Sequence, residues 1–390
     1  MNELRFSKLA ANYPASGIRR MFDLAAKYDD AIKLTVGEPN FETPGYIKEA
    51  AKKALDDGKV FYAPNAGIPE LREAIADKYR IYDNGYTKEN VIVTTGALEG
   101  LILSFMSFLN PGDEVLVTDP CFPNYYGQLQ SVGAIPVSVP TYEKYEYRVQ
   151  AEDIENTITA KTKAIIINSP CNPTGAVLTE SDIRSIAQIV KKNELIVFSD
   201  EPYDCIVFDG QRPFSMAQLK EMKDNVIILN SFSKSYAMTG WRIGYIVVPD
   251  GYSQKMAEVQ EGIVSCVSTF SQYAAVEALK SDRCIKEMLA EYTRRRDILI
   301  DGLNKVPGIT CPKTKGSFYA FANIKAFGKT SQEFAEELVE RARVVVVPGS
   351  AFGKMGEGYI RLVFANSDDN LKEAVRRIDN HVRKNYPALC

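Results

Sequence analysis

Apolar positions along this chain follow two alternating periods, one of about 3.6 residues and one of about two. Segments with the longer period predict helices at 46–57, 68–82, 97–109, 122–132, 179–193 and 253–280. Runs rich in β-branched residues predict seven strands: VIVTT (91–95), EVLVTD (114–119), IPVSVP (135–140), AIIIN (164–168), LIVFSD (195–200), VIILNS (226–231) and IGYIVV (243–248). Strands that alternate with helices of roughly 10–15 residues are typical of a mostly parallel sheet with helices on both faces. The pattern therefore predicts an α/β fold.

The pattern changes after about residue 285, where helices and strands no longer alternate regularly. The elements predicted there are a charged helix at 285–305, the aromatic run GSFYAF at 316–321, and helices at 331–342 and 370–384. Near the N-terminus, residues 17–30 predict a short amphipathic helix. This α+β layout indicates a second, smaller domain. We expect a large domain over residues 46–284 and a small domain formed by residues 1–45 and 285–390.

The charge balance and the single histidine limit the possible chemistry. In 390 residues, 47 basic and 50 acidic side chains leave a net charge of −3, which disfavours nucleic acid and anionic membranes as partners. The one histidine, His381, lies in the last predicted helix, where we expect it at the surface. A multi-histidine zinc site is excluded, and no metal is expected. Acid–base chemistry must rest mainly on Lys, Tyr, Asp, Glu or a cofactor.

The cysteines and the apolar runs indicate where the protein resides. Seven cysteines are scattered without a C-x-x-C pair, which is neither a disulfide framework nor a zinc pattern. Reduced, unpaired cysteines are typical of the cytosol. No signal peptide begins the sequence, and no apolar run reaches the roughly 18 residues that a membrane span needs. We therefore expect a cytoplasmic protein without a membrane partner.

Polar residues follow several predicted strands, at the edge where parallel sheets bind ligands. Gly96 and Ala97 join the first strand to a helix whose free amides can hold a phosphate, although such junctions are also common structural turns. Asn172 lies in the rigid segment SPCNPTG after the strand AIIIN. Asp200 ends the strand LIVFSD, and Tyr203 follows three residues later. These positions predict one shared binding site.

A lysine and an arginine follow the strand VIILNS, within the segment SFSKSYAMTGWRIG. Lys234 there has Arg242 eight residues further on. Schiff-base chemistry explains why a lysine would be buried here. An arginine with serine hydroxyls suits a phosphate. A buried carboxylate needs a compensating cation, such as a protonated pyridine. Aldehyde, phosphate and pyridinium on one molecule describe pyridoxal 5′-phosphate. The structural alternative is a buried Lys234–Asp200 ion pair, which leaves Asn172, Tyr203 and Arg242 unexplained.

Four motifs occur in the order found in one enzyme family: VGEPNFETP, NSPCNPTG, SDEPYD and the lysine segment with its S-x-S-K…G-x-R-x-G spacing. On these motifs the chain resembles, over essentially its whole length, the class I aminotransferases of the pyridoxal phosphate fold type I. The resemblance is strongest to the aromatic amino acid, aspartate and diaminopimelate branch, through GIRRMFDLA, YAPNAGIPELREAIA and INSPCNPTGAVLT. It implies a seven-stranded, mostly parallel sheet in the large domain and a homodimer.

The resemblance also implies roles for the residues nearest the reaction. Lys234 would bind the cofactor aldehyde covalently and, once released by substrate, carry the proton between the substrate and the cofactor. Asp200 would keep the pyridine nitrogen protonated. Tyr203 and Asn172 would donate hydrogen bonds to the phenolic oxygen of the ring. Phe122 would stack on the ring face, although simple core packing is an alternative for this residue.

Further residues are assigned by the same resemblance to phosphate and substrate. The phosphate would be held by the helix start at Gly96, Ala97 and Leu98 and by Ser231, Ser233 and Arg242. Ser233 has an alternative role in capping the local turn. Tyr62 would reach the phosphate of the neighbouring subunit. Arg361 would bind the substrate α-carboxylate with Asn172 and the backbone of Gly37, unless it is a surface residue of its strand.

One departure from the family pattern bears on substrate. Members selective for aspartate and prephenate often carry a lysine where this chain has Leu98, so a more apolar pocket is expected. We therefore expect ping-pong transfer of an amino group from a broad range of L-amino acids, aromatic ones preferred, to 2-oxoglutarate. The alternatives are an aspartate or alanine aminotransferase and a C–S lyase of the same fold. A ligand-sensing regulator is disfavoured because only about 30 residues precede the first motif, too few for a DNA-binding module.

Overall fold

The computed structural model describes residues 6–13, 21, 23–211 and 213–389. The predicted helix at 17–30 lies partly outside these residues, and residues 23–25 are helical. The α-helices are α1 (Lys8–Ala11), α2 (Gly45–Asp56), α3 (Pro69–Arg80), α4 (Gly96–Phe108), α5 (Asn124–Ser131), α6 (Ala151–Thr157), α7 (Glu180–Lys192), α8 (Phe232–Ser235), α9 (Ser253–Val264), α10 (Thr269–Leu279), α11 (Arg283–Leu303), α12 (Ser331–Glu337) and α13 (Asp368–Asn385). Helix α6 was not predicted.

A seven-stranded sheet occupies the centre of the larger part of the chain. With β1 being the short strand Ile32–Lys33, its strands are β2 (Val91–Thr94), β3 (Glu114–Asp119), β4 (Ile135–Pro140), β5 (Thr162–Asn168), β6 (Ile196–Asp200), β7 (Val226–Ser231) and β8 (Gly244–Val247). Their spatial order is β2–β8–β7–β6–β5–β3–β4, and only β8 runs antiparallel to its neighbours. The predicted α/β fold with a mostly parallel sheet is confirmed.

The two faces of this sheet form two apolar cores, which explains the continuous apolar runs. Successive side chains of a strand point to opposite faces. Along β5, Ile165 and Ile167 pack in the core on one face, and Ile166 packs in the core on the other. All three are at most 2% exposed. Burial on both faces therefore requires helices on both sides, while β5, β6 and β7 end at the carboxyl edge in the polar residues Asn168, Asp200 and Ser231.

A smaller sheet follows in the C-terminal part of the chain. Strands β11 (Val347–Pro348), β12 (Tyr359–Val363) and β9 (Tyr319–Asn323) pair antiparallel in that order, while β1 pairs parallel with β10 (Val344–Val345). Ile32 and Leu34 share one apolar core with residues of α11, β9, β12 and α13. This packing joins N-terminal to C-terminal residues. The domain boundaries at 45/46 and 284/285 stay a prediction.

Two expectations about the C-terminal half are wrong. The helix expected over 253–280 is divided into α9 and α10, because Ser265 adopts φ +64° and interrupts the helical backbone. His381 is buried rather than at the surface, because it lies on the face of α13 that also carries Leu371, Ala374 and Ile378. Its Nε2 lies 2.9 Å from Glu337 Oε1 and its Nδ1 3.1 Å from Asn385 Nδ2. Within the described ranges, no helix is long and apolar enough to cross a membrane.

Helix α4 approaches the sheet closely at Gly100. A Cβ at this position would lie 2.8 Å from Ile246 Cγ2 and 3.6 Å from a side-chain carbon of Leu229. Only a residue without a side chain therefore lets α4 lie this close to β7 and β8. The contact fixes the height of the helix N-terminus above the edge of the sheet.

We expect Gly100→Ala to lower the midpoint of thermal unfolding, because overpacking a rigid core costs about 1–3 kcal/mol. The matched control is Gly262→Ala in α9, where a Cβ meets no atom within 4 Å. Alanine stabilises a helix interior by about 1 kcal/mol relative to glycine, so this control should be neutral or stabilising. Equal midpoints for the two variants would contradict the close packing of α4.

Candidate active site

A cavity of about 280 Å³ opens at the carboxyl edge of the seven-stranded sheet. Every residue predicted for the site lines it except Gly96 and Tyr62. The lining residues are Thr35, Val36, Gly37, Ala97, Leu98, Leu101, Phe122, Asn168, Asn172, Asp200, Pro202, Tyr203, Ser231, Ser233, Lys234, Arg242, Tyr319 and Arg361. The cavity therefore brings the motifs together.

The direction of the strands explains why these residues meet. Strands β5, β6 and β7 are parallel and end at Asn168, Asp200 and Ser231, so their last residues share one edge. Strand β8 runs the opposite way, so the residue before its start, rather than after its end, lies at this edge. Arg242 precedes β8 in this manner. The reversed strand is thus what brings Arg242 to the edge that carries Lys234.

Lys234 lies in the short helix α8, directly after β7. Its Nζ donates a hydrogen bond to the carbonyl oxygen of Gly37. The pKa of Lys234 is lowered to about 8, mainly by burial; the charge of Glu38 opposes this shift, and the charges of Arg242 and Arg361 add to it. About a tenth of the amine is therefore neutral, and nucleophilic, at pH 7, far more than for an exposed lysine.

Asp200 ends β6 and is 4% exposed. Its Oδ2 accepts a hydrogen bond from the hydroxyl of Tyr125, and its Oδ1 has no partner among the described residues. Burial raises the pKa of this carboxyl to about 6, against the effect of the Tyr125 hydrogen bond. The structure shows no salt bridge between Asp200 and Lys234 in the residues that it describes, so the alternative of a structural ion pair lacks support.

Hydroxyls, amides and a guanidinium form one end of the cavity. Ser231 Oγ donates to Ser233 Oγ at 2.8 Å. The guanidinium of Arg242 lies against Gly96, where a Cβ would be 2.5 Å from its Nη2. A Cβ on Gly244 would lie 2.9 Å from the amide nitrogen of Ala97, so this glycine lets β8 approach the start of α4. Such a set of donors suits a phosphate dianion.

Arg361 approaches the cavity from β12 and is 2% exposed. It donates from Nη1 to Asn172 Oδ1 at 2.9 Å and from Nη2 to the carbonyl oxygen of Thr35 at 2.6 Å. Its Nε has no hydrogen-bond partner within the described part of the chain. Burial lowers its pKa, but a guanidinium remains protonated in proteins. Arg361 is therefore a buried cation with no carboxylate partner among the described residues, not a surface residue of its strand.

The aromatic residues around the cavity differ in exposure. Tyr62 is 91% exposed and does not line the cavity of its own chain. Of three other aromatic residues, Phe318 is fully buried with its ring centroid 5.9 Å from Lys234 Nζ, Tyr13 is 48% exposed against Gly127, and the ring of Phe122 packs edge-on against Tyr125. Phe122 alone of the three lines the cavity.

Sequence reasoning missed several residues of the site. These are the cavity-lining residues Thr35, Val36, Leu101, Asn168, Pro202 and Tyr319, together with Tyr125, which bonds to Asp200. Asn168 is the last residue of a predicted strand, so its position was a usable signal. Tyr319 lies in the aromatic run GSFYAF, which marked the region but not the residue. Thr35 enters only through long-range packing, which no local pattern reveals.

The residues present fit pyridoxal 5′-phosphate. The unpartnered Oδ1 of buried Asp200 matches a pyridinium N–H, which also compensates the buried carboxylate. The donors around Arg242 match the phosphate, and the amine of Lys234 matches the aldehyde. No cluster of His, Cys, Asp and Glu side chains able to hold a metal ion occurs in the described ranges.

Comparison with known proteins agrees with this geometry. Residues 29–378 match the family model for aminotransferase class I and II. The chain is 44% identical to an aspartate aminotransferase of Pyrococcus abyssi, over 95% of this chain and 96% of that protein. It is 42% identical, over the same shares, to aromatic-amino-acid aminotransferase 2 of Thermococcus litoralis. The crystal structure of an aromatic aminotransferase from Pyrococcus horikoshii superposes with a TM-score of 0.89 at 43% identity, covering 95% of this chain and all of that one.

The fold and the site thus define a pyridoxal phosphate-dependent transaminase. The chain belongs to the class I and II aminotransferases, in the branch that contains the aspartate and aromatic enzymes. The predicted enzyme class, fold type and cofactor are confirmed. Enzymes with both specificities are similar to it to nearly the same degree, so the comparisons leave the amino donor open.

The lowered pKa of Lys234 predicts that its amine, in cofactor-free protein, reacts at a lower pH than an ordinary lysine does. Formaldehyde with cyanoborohydride should methylate Lys234 half-maximally near its pKa of about 8, because only the neutral amine reacts and the neutral fraction grows above that pH. The matched control is Lys53, whose pKa is raised by its hydrogen bond to Asp57. Mass spectrometry of the two peptides from about pH 6 to pH 10 measures both profiles. Coincident profiles would contradict the burial effect at Lys234.

Proposed function

We propose that this enzyme transfers the amino group of L-amino acids, preferentially aromatic ones, to 2-oxoglutarate by a ping-pong mechanism. The observation that carries the proposal is the cavity itself, which unites a low-pKa lysine, a buried carboxylate with one unpartnered oxygen, and a buried arginine that forms no salt bridge with the described residues. Bound pyridoxal phosphate supplies an electron sink that stabilises negative charge at the substrate Cα. The side chains of the protein bind and orient the cofactor and the substrate, and they move protons.

Lys234 is proposed as the covalent anchor and then as the proton carrier at the substrate Cα. Its placement between Gly37 and the ring of Phe318 keeps the amine out of bulk water, which lowers its pKa. A neutral amine accepts a proton, and the same group can return it to the next atom within reach. Lysine is one of the few residues available for this role, because the only histidine is buried in α13 away from the cavity.

Four further residues are proposed to hold and tune the ring. Asp200 accepts the pyridine N–H at its free Oδ1 and keeps that nitrogen protonated. Asn172 uses its side-chain oxygen for Arg361, which leaves its amide N–H groups for the phenolic oxygen of the ring. Tyr203 donates its hydroxyl hydrogen to the same oxygen. Phe122, which also lines the cavity, is assigned to a face of the ring.

Phosphate and substrate are assigned to opposite groups of donors. We assign the phosphate to Ser231, Ser233 and Arg242 with the amides at the start of α4, because these donors form one end of the cavity. Arg361 is assigned the α-carboxylate, because its Nε and the remaining N–H groups offer the fork that a carboxylate accepts. Arg361 can therefore bind the α-carboxylate of the amino acid and, after its product leaves, that of the oxo acid.

The side-chain preference is inferred from what remains of the cavity lining. Within the described residues, the cations in that lining are Lys234, Arg242 and Arg361, and each already has an assigned partner. Leu98 and Leu101 lie beside Phe122 as apolar contacts. An aromatic ring is therefore stabilised by burial, whereas a second carboxylate finds no dedicated cation of this chain. Aspartate and alanine remain alternative donors, and the relative named aspartate aminotransferase favours testing aspartate first.

A homodimer with shared active sites is part of the proposal. The segment Val60, Phe61 and Tyr62 exposes 59%, 81% and 91% of its side chains, an apolar surface of the kind that marks protein contacts. A second copy covering this segment would bring Tyr62 to the phosphate end of the partner's cavity. A cytoplasmic location stays a prediction from the sequence.

With 2-oxoglutarate as acceptor, kcat/KM should be higher for tyrosine and phenylalanine than for aspartate and alanine. The differences should be modest, about 10–200-fold, because apolar contact discriminates less than paired polar groups. Steady-state kinetics with the four donors measures this. The variant Leu98→Lys should raise kcat/KM for aspartate relative to phenylalanine, since it adds a cation to the lining.

Two controls accompany the donor series. Lys234→Ala should abolish transfer, and cystathionine should release neither pyruvate nor ammonia if the enzyme is not a lyase. Aspartate or alanine exceeding both aromatic donors would overturn the preference. Cleavage of cystathionine without amine transfer would overturn the reaction type as well.

The shared site predicts complementation between two inactive variants. Lys234→Ala and Tyr62→Ala chains, mixed in equal amounts and allowed to exchange subunits, should recover about a quarter of wild-type activity, because half of the dimers are hybrids with one intact site. The measurement is amine transfer after exchange has been verified by mass spectrometry.

The matched control for complementation mixes Lys234→Ala with Asp200→Ala. Both residues line the cavity of one chain, so every site of the hybrid lacks one of them and no activity should return. Absence of recovery in the Tyr62 mixture after full exchange would show that each site is built within one chain.

A further inference from the structure

Tyr319, the first residue of β9, contacts three parts of the site at once. Its hydroxyl lies 2.7 Å from the hydroxyl of Tyr203. Its ring lies 4.5 Å from the guanidinium carbon of Arg361. It also fills the space beside Gly37, where a Cβ would collide with the Tyr319 hydroxyl. The side chain is 1% exposed, so neither solvent nor rotation relaxes this arrangement.

The contact with Tyr203 sets the direction of a hydrogen bond. Each hydroxyl has one hydrogen, so only one of the two tyrosines can donate across the 2.7 Å contact. An anionic phenolic oxygen in the cavity is a stronger acceptor than a neutral hydroxyl, so Tyr203 donates to it. Tyr319 then donates to the oxygen of Tyr203. A donor whose own oxygen accepts a hydrogen bond is a stronger donor, because consecutive hydrogen bonds polarise one another.

The contact with Arg361 fixes the plane of a cation. Tyr319 and Phe352 lie near Arg361 with ring centroids 4.5 Å and 4.7 Å from its guanidinium carbon. Strands β9 and β12 pair antiparallel with Arg361 opposite Phe321, so Tyr319, two residues before Phe321, is its diagonal neighbour on the same face. The ring contacts leave the edge of the guanidinium, with its N–H groups, as the part that meets a carboxylate.

We propose that Tyr319 is a positioning residue of the transamination site, acting through the hydrogen-bond direction of Tyr203 and the guanidinium plane of Arg361. The proposal rests on the function proposed above and adds a residue to it. The hydroxyl of Tyr319 acts on the residues that bind the cofactor, and its ring acts on the residue that binds the substrate. The two contributions are separable, because phenylalanine removes only the hydroxyl and leucine removes both.

The hydroxyl is tested by absorbance titration of the holoenzyme. The visible absorbance of the bound cofactor reports a proton near the phenolic oxygen, and a donor to that oxygen stabilises the form that has lost the proton. Tyr319→Phe should therefore raise the spectroscopic pKa by about 0.5–1 pH unit, the size expected for one weakened hydrogen bond. Tyr203→Phe should raise it at least as much. In the Tyr203→Phe background, Tyr319→Phe should add no further change, since its effect passes through Tyr203.

The ring is tested by steady-state kinetics. Tyr319→Leu should raise KM for both the amino and the oxo acid on the order of 5- to 30-fold, because both use Arg361. Tyr319→Phe keeps the ring and should leave both KM values within about twofold. The matched control is Tyr292→Phe. The hydroxyl of Tyr292 is buried nearby without a hydrogen-bond partner among the described residues. This variant should change neither the spectroscopic pKa nor KM.

The outcomes separate this inference from the function on which it rests. A wild-type enzyme that transfers amines, together with an unchanged spectroscopic pKa in Tyr319→Phe, would overturn the role of the hydroxyl alone. An equal change in the presence and absence of the Tyr203 hydroxyl would also overturn it, because the effect would not pass through Tyr203. Unchanged KM values in folded, cofactor-bound Tyr319→Leu would overturn the role of the ring. A wild-type protein without amine transfer would overturn the proposed function itself.

Discussion

Burial of charge at one edge of the sheet is the constraint on which the site depends. Asp200 and Arg361 are almost completely excluded from solvent, and each keeps an atom without a partner in the described chain. Isolated buried charges are unfavourable unless a ligand compensates them. In the proposed function a cofactor with a pyridinium compensates Asp200, and a substrate with a carboxylate compensates Arg361. Each buried charge of the protein that lacks a partner thus matches a group of opposite charge on the cofactor or the substrate.

This constraint also explains the architecture around the cavity. Three parallel strands deliver a carboxylate, an amide and a serine to the same edge, and the reversed strand β8 adds Arg242 from the opposite chain direction. Two glycines let the backbone approach closely at this edge. A side chain at Gly96 would occupy the space of Arg242, and one at Gly244 would occupy the space of the Ala97 amide. The substrate half comes from elsewhere, from β12 and the segment around Thr35. Two chemically different halves therefore meet over one cavity.

The sequence was informative where local pattern decides structure. Every strand of the large sheet was predicted to within two residues at each end, since apolar runs such as VIILNS have few alternatives. Residues that follow those strands, including Asp200 and Lys234, were predicted for the same reason. The break at Ser265, the burial of His381 and the contact of Tyr319 with Tyr203 were not predicted. The contact of Tyr319 depends on a partner distant in sequence, which no local period reveals. His381 instead continues the period of Leu371, Ala374 and Ile378, so its burial was a usable signal in the sequence.

The reversed strand β8 has a further consequence for the order in which the site assembles. Because β7 and β8 pair through the short connection that holds both Lys234 and Arg242, closing this loop loses little chain entropy. The proposed covalent anchor, Lys234, and a proposed phosphate ligand, Arg242, are therefore neighbours as soon as two adjacent strands pair. Arg361 joins them only after the C-terminal sheet has formed and packed. A nascent chain would thus acquire the capacity to retain its cofactor before it acquires the capacity to select a substrate.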